Sequence, residues 1–361
     1  MTALQQLHDL GQSIWLDNIT RDLLTSGALQ RYIDQWSVTG LTSNPTIFDH
    51  AIRTSAAYDD ALRAQRATAR PAEEAFFALA IEDIGRAADL FAPVHRRTAG
   101  VDGWASLEVS PLLADDTDAT IAAAAELHAR AGRRNVLIKI PGTRAGLRAI
   151  EASTFAGVPV NVTLLFSREQ YLAAAEAYLR GIERRIAAGL DPDVGSVASL
   201  FVSRWDVAVS DRVPTEPRNA LGIAIGRRCC AAYYEIIASS RYRRVLNAGA
   251  RPQRLLFAST GTKDPRASDV LYVAALAAPL TVNTMPEATL HAFADHGAVR
   301  AEARWDDADN ERIIAAHAAR GVDIDALAAR LQQDGAKAFV ASWRDLLAVI
   351  AAKRAALTGA D

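Results

Sequence analysis

The sequence predicts an α/β fold, a closed (β/α)8 TIM barrel with a helical C-terminal extension. Short, β-branched apolar runs alternate with longer Ala-rich amphipathic stretches from about residue 12 to about residue 297, which is a βα pattern. The runs number eight and each is followed by a helical stretch, a count that suits a closed barrel better than a doubly wound sheet. No G-x-G-x-x-G follows the first run, so a dinucleotide-binding sheet lacks its glycine loop.

Strands are expected at 13–19, 38–44, 103–110, 135–140, 158–165, 196–204, 254–260 and 279–284. Between them, helices are expected at 20–36, 45–92, 117–132, 144–155, 168–188, 206–244, 267–276 and 286–296. After residue 300 the strands stop, and the remainder reads as helices broken near Gly321 and Gly335, with Asp323 and Asp334 as N-caps. Residues 1–300 are thus assigned to the barrel and 301–361 to a helical extension packed on it. This amphipathic extension could pack on its own barrel or against a second copy, which leaves a homodimer open.

Composition bounds the function. The chain has 361 residues, half of them hydrophobic, with a net charge of −2 and no basic run, so nucleic acid is not an expected partner. The start has neither a charged n-region nor an apolar h-region, and no stretch approaches the length of a membrane span, so the chain reads as cytoplasmic with no membrane partner. Cys229 and Cys230 are adjacent within a helical stretch and read as packing thiols; the seven histidines show no close pairing. No metal site is expected.

The basic residues are more informative. Of 40 Lys plus Arg, four are lysines: Lys139, Lys263, Lys337 and Lys353. Lys139 lies inside the apolar run "NVLIKI". An amine can lose its proton and attack a carbonyl, whereas a guanidinium stays charged. The same position suits a snorkelling or edge lysine, or a structural ion pair with Glu108, so the residue alone leaves these roles open.

In such a barrel the chemistry lies at the carboxyl ends of the strands. Strand one ends with Asp17, strand two with Asn44, strand three carries Glu108, strand four Lys139, and strand five Asn161 and Thr163. Strand six is expected to end in Ser199, Ser203 and Arg204, and strand seven in Ser259 followed by Thr260, Gly261, Thr262 and Lys263. Asp17 and Glu108 are expected to flank Lys139 on neighbouring strands, where they could move the protons that carbonyl chemistry through an iminium requires.

From about residue 10 to about residue 300 the chain resembles the transaldolases, in the long single-function form seen in actinobacteria. "SIWLDNITRDLLTSG", "GLTSNPTIF", "SLEVSPLLADDT", "VLIKIPGT" and "VNVTLLFS" are similar to the family's first five strands, and "VASLFVSRWD", "ASTGTKDP" and "TVNTMPEATL" to later segments. The resemblance implies that Lys139 forms a Schiff base with a ketose phosphate and that Asp17 takes the proton from the C4 hydroxyl. It implies that Glu108 acts through a water held by Thr163. Asn44, Asn161 and Ser199 would hold the three-carbon dihydroxyacetone unit and Arg204 would meet the substrate's phosphate, for which the "STGTK" turn beginning at Ser259 could add oriented N–H donors. Fructose 6-phosphate and erythrose 4-phosphate, exchanged with sedoheptulose 7-phosphate and glyceraldehyde 3-phosphate, would be the substrates of this step of the non-oxidative pentose phosphate pathway. Neither metal nor organic cofactor is implied.

Three departures bear on the substrate. Many transaldolases carry an arginine two residues after the serine matching Ser259, and here that residue is Gly261, which suggests Lys263 as the second phosphate charge. Ser110 stands where an aspartate is common, and 205–228 follows the family loosely. Rival readings are an aldolase releasing free dihydroxyacetone, an enzyme for an unusual sugar phosphate, an inactive sugar-phosphate-binding barrel and a scaffold for partners.

Overall fold

A computed structural model describes residues 2–66, 71–211, 218–299, 305 and 307–357. Eight parallel strands close into one barrel in chain order: β1 (Ser13–Asp17), β2 (Val38–Thr42), β3 (Trp104–Glu108), β4 (Val136–Pro141), β5 (Val160–Leu165), β6 (Ser196–Phe201), β7 (Gln253–Ala258) and β8 (Val282–Met285), with β8 pairing back onto β1. Each expected strand is present, most of them shorter by a few residues, while β4 and β8 start later and end one residue later than expected.

Side chains alternate across this sheet, as a period of two requires. Ile14, Leu16, Ile138, Ile140, Val160, Val162, Leu255 and Phe257 point outward and belong to the large core between strands and helices. Trp15, Trp104, Leu137, Val197, Leu256 and Val282 form a separate cluster inside the barrel. Two glycines make room for its tryptophans. A Cβ on Gly40 would lie 2.6 Å from Trp15 Cε2, and one on Gly195 would lie 2.4 Å from Trp104 Cη2. Lys139 follows Leu137 by two residues, so it shares that inward face one layer nearer the mouth.

The helical layer departs from expectation in four places. The stretch at 20–36 divides into Arg21–Thr25 and Ala28–Trp36 at Gly27, which adopts φ 72°. The stretch at 45–92 contains Pro45–Thr54, Asp59–Arg66 and Ala72–Arg97. The stretch at 206–244 contains Ser203–Val209, Leu221–Ala238 and Ser240–Asn247, while 212–217 lie outside the described residues. A helix at Ala3–Asp9 precedes the barrel; its capping box between Thr2 and Gln5 was a readable signal, and its Leu4 and Leu7 are fully buried.

The extension contains helices Asp307–Ala318 and Ile324–Ala356, the second of 33 residues. Asp323 caps it, accepting from the Ala326 N–H at 3.0 Å. The expected break at Gly335 with a cap at Asp334 is absent: both residues lie inside the continuous helix. Gly335 serves close approach instead, since a Cβ there would stand 2.9 Å from Leu164 Cδ2. Trp343 packs edge-on against Phe76 with centroids 5.0 Å apart. Lys353 donates to Ile52 O at 2.8 Å and pairs with Asp59 at 2.8 Å. The helix therefore runs from the ends of β4 and β5 to the helices after β2. Among the described residues, no helix is long and apolar enough to cross a membrane.

Candidate active site

Strand register brings most of the expected polar residues to one rim. Glu108 on β3 is the direct neighbour of Lys139 on β4, and Lys139 is the neighbour of Asn161 on β5. Asp17 on β1 lies beside Thr42 on β2. Asp17 does not flank Lys139 on a neighbouring strand, because β1 pairs with β2 and β8. It faces Lys139 across the mouth, where both Lys139 and Lys263 act electrostatically on its carboxylate.

A cavity of about 250 Å³ opens at this rim, lined among others by Asp17, Asn44, Lys139, Thr163, Ser199, Arg204, Ser259 and Lys263. Lys139 is 5% exposed. Its Nζ donates to Ser43 O at 3.1 Å and to Glu108 Oε2 at 3.4 Å, and lies 5.6 Å from the centroid of the Phe339 ring. Glu108 is buried, and loss of solvent pushes its pKa up to about 7, with Lys139 pulling in the opposite direction. Burial likewise raises the Asp17 pKa, against the attraction of Lys139 and a hydrogen bond from Thr42 Oγ1 at 2.7 Å. Two carboxyls are thus held above their ordinary range at one rim with a buried amine, and Glu108, near 7, can hold and release a proton close to neutral pH.

The remaining residues differ in kind. Asn161 lies below the rim, accepting from Ser199 Oγ at 2.7 Å and donating to Ser106 Oγ at 3.1 Å. Thr163 Oγ1 is buried without a hydrogen-bond partner among the described residues. Asn44 caps helix Pro45–Thr54, its Oδ1 accepting from the Ile47 N–H at 3.1 Å, and lines the cavity as well. Arg204 does not end a strand: β6 stops at Phe201, and Arg204 lies in the first turn of Ser203–Val209. Ser259 follows β7 at φ 56°, with its hydroxyl 2.9 Å from Ser203 Oγ. Lys263 is exposed, in the loop beyond it.

Thr42, Phe201, Thr284 and Phe339 also line the cavity and lie outside the set that the sequence points to. The parity of the strands could have found Thr42 and Phe201, which stand two residues from Asn44 and Ser199. Phe339 comes from the distant extension and carries no such signal. A neighbouring cleft of about 310 Å³ shares Lys263, but Asp264 pairs with its Arg218 and Arg266 at 3.8 and 3.1 Å. It lacks a buried amine.

Comparison with known proteins agrees with this geometry. A model of the transaldolase/fructose-6-phosphate aldolase family matches residues 14–350. Proteins named transaldolase are similar over nearly the whole chain. The one from Thermobifida fusca (strain YX) is 46% identical, covering 99% of this chain and 100% of its own length. The relative from Arthrobacter sp. (strain FB24) is 44% identical over 96% of both chains, and that from Thiobacillus denitrificans is 43% identical over 97% of this chain and its own full length. With a match over most of its length and a lysine-centred barrel mouth, the chain belongs to the transaldolase/fructose-6-phosphate aldolase family of enzymes.

Proposed function

We propose that the protein transfers a dihydroxyacetone unit from a ketose phosphate to an aldose phosphate through a Schiff base on Lys139. The observation that carries this reading is the buried Lys139 amine beside Glu108, at the floor of a cavity that also holds Asp17. Glu108 takes a proton from the Lys139 ammonium at 3.4 Å, and the freed amine adds to the C2 carbonyl to give a carbinolamine. Glu108, poised near pH 7, protonates the departing hydroxyl through a water at Thr163, and water leaves to give the iminium. Asp17 removes the proton from the C4 hydroxyl as the C3–C4 bond breaks; the bond's electron pair moves into the iminium to form an enamine, and the C4 fragment leaves as an aldose phosphate. The acceptor aldehyde is then attacked by the enamine carbon, and Asp17 returns the proton to the new alkoxide. Hydrolysis of the iminium frees the product.

Asn44 and Ser199, which line the cavity, would hold the three-carbon unit, with Asn161 bonded to Ser199 behind it, and Arg204, Ser259 and Lys263 would hold the phosphate. A phosphate asks for fixed cations and oriented donors. The Lys263 reading gains support from Gly261, because a Cβ built there would lie 3.8 Å from Lys263 Nζ. The lysine amine thus comes within van der Waals contact of the point where a side chain at 261 would begin. Fructose 6-phosphate and sedoheptulose 7-phosphate are the expected donors, and erythrose 4-phosphate and glyceraldehyde 3-phosphate the acceptors.

Borohydride reduction after incubation with fructose 6-phosphate tests the reading. The expected product is a reduced three-carbon adduct on Lys139, found by peptide mass spectrometry and missing in Lys139→Ala. Turnover should be slow on fructose 6-phosphate alone and fast once an aldose phosphate is added; equal rates would make the enzyme an aldolase. No adduct with either ketose phosphate would overturn the Schiff-base reading.

A further inference from the structure

The end of β5 is held in an unusual conformation. Leu164, directly after Thr163, has φ 59°, a left-handed value that costs an L-residue on the order of 1–2 kcal/mol. The pairing of β5 with β6 slips between Val162 and Leu165. Such a kink persists only where its surroundings fix it.

What fixes it comes from the C-terminal helix. Gln332 Nε2 donates to Leu164 O at 2.9 Å and to Gly142 O at 3.0 Å, so one amide spends both hydrogens on the ends of two adjacent strands. The Gly142 N–H closes the circuit by donating to Thr163 O at 2.7 Å. Gly335 and Phe339 follow Gln332 at i+3 and i+7, on the same stripe of the helix. Gly335 lets the stripe settle on the Leu164 side chain, and Phe339 places its ring over Lys139 Nζ. One helical face thus touches the kinked backbone, its side chain and the reacting amine.

We propose that Gln332 is a positioning residue for Schiff-base formation, holding the kinked end of β5 so that the unpartnered Thr163 hydroxyl is presented to the chemistry at Lys139. This rests on the Schiff-base reading above. A tie that only stabilised the fold would have no reason to end on the two carbonyls that flank Thr163 and the exit of β4.

The test is the rate of borohydride-trappable adduct formation with fructose 6-phosphate in Gln332→Met and Gln332→Glu, with Gln333→Met at the exposed neighbour as control. Both variants at 332 should form the adduct roughly 10- to 100-fold more slowly, with kcat falling more than KM changes, while the control matches the parent. The rate of Gln332→Glu relative to Gln332→Met should rise as pH falls, because a protonated carboxyl regains one donor. Adduct formation at the parent rate in both variants, or a loss that only tracks the folded fraction in thermal melts, overturns the proposal. If the parent forms no adduct, the failure lies with the Schiff-base reading instead.

Discussion

The two ends of the barrel interior bury charge in opposite ways. At the N-terminal end, Arg254 spends all five donors: on Leu280 O, Val101 O, Asp102 Oδ1, Ser13 Oγ and Thr281 O. Asp102 also accepts from Ser13 Oγ at 2.6 Å and from Trp15 Nε1 at 3.4 Å. At the mouth, Lys139 has two acceptors for its three hydrogens, Glu108 has the amine at 3.4 Å, and Thr163 Oγ1 has no partner among the described residues. Burial is nearly equal, at 7% exposure for Arg254 and 5% for Lys139. The difference lies in satisfaction. A saturated pair fixes structure, while an under-satisfied cluster keeps its bonding capacity for a substrate.

The sharpest way to break this comparison is to truncate one cation at each end. Arg254→Met strands the Asp102 carboxylate and should destabilise the fold by about 3–5 kcal/mol, read as a lower urea midpoint, with turnover per folded molecule unchanged. Lys139→Met should abolish turnover and leave the midpoint within about 1 kcal/mol of the parent, because Glu108, already pushed up to about 7, can take up a proton and sit neutral. Equal losses of stability at both ends would mean that the mouth is as structural as the base.

The same contrast explains what could be read from the sequence. All eight strands, the rim residues Asp17, Glu108, Lys139 and Thr163, and Asn161 just below them follow from period-two patterning and from polar residues late in each strand. The Ser13, Asp102 and Arg254 cluster was not legible, because its members sit at strand starts, where Ser, Asp and Arg ordinarily meet solvent. Gly335 and Asp334 read as a helix stop because a glycine next to an acid is the usual local signal. Packing against Leu164 overrides that signal, and only tertiary structure contains it. Gln332 and Phe339 reach the site from nearly 200 residues beyond Lys139, a separation that leaves no trace in local pattern. Arg204 reads as a strand residue because the apolar run "SVASLFVS" continues past the point where β6 turns into a helix.

Acid should sharpen the comparison next. The Glu108 carboxyl has its pKa raised from 4.5 to about 7, so between those values the folded protein keeps a proton that the unfolded chain releases. Stability therefore falls as pH rises from about 4.5 to about 7, and this contribution is fully present only below the lower value. Glu108→Gln removes the titration and isolates it from Asp17 and Asp206, whose pKa values burial also raises. The stability of the Gln variant relative to the parent should climb by on the order of 3 kcal/mol across that window and level off above it. A difference independent of pH would show that Glu108 is ionised throughout.

The smallest effect concerns the layer between the two ends. Trp15 and Trp104 fill the barrel between the saturated pair and the reactive cluster, and Gly40 leaves Trp15 its space. In Gly40→Ala the new Cβ would meet Trp15 Cε2 at 2.6 Å and Trp104 O at 2.8 Å. Neither can yield freely, since Trp15 is fully buried and the carbonyl is backbone, so the substitution should cost about 1–3 kcal/mol. Its direction is informative. Trp15 Nε1 donates to Asp102, so displacement of the indole acts first on the N-terminal cluster, which then stops sharing its full set of bonds. The urea midpoint should fall while kcat and KM stay at parent values; a drop in kcat at unchanged midpoint would show that strain crosses the tryptophan layer and that the mouth is not mechanically separate from the base.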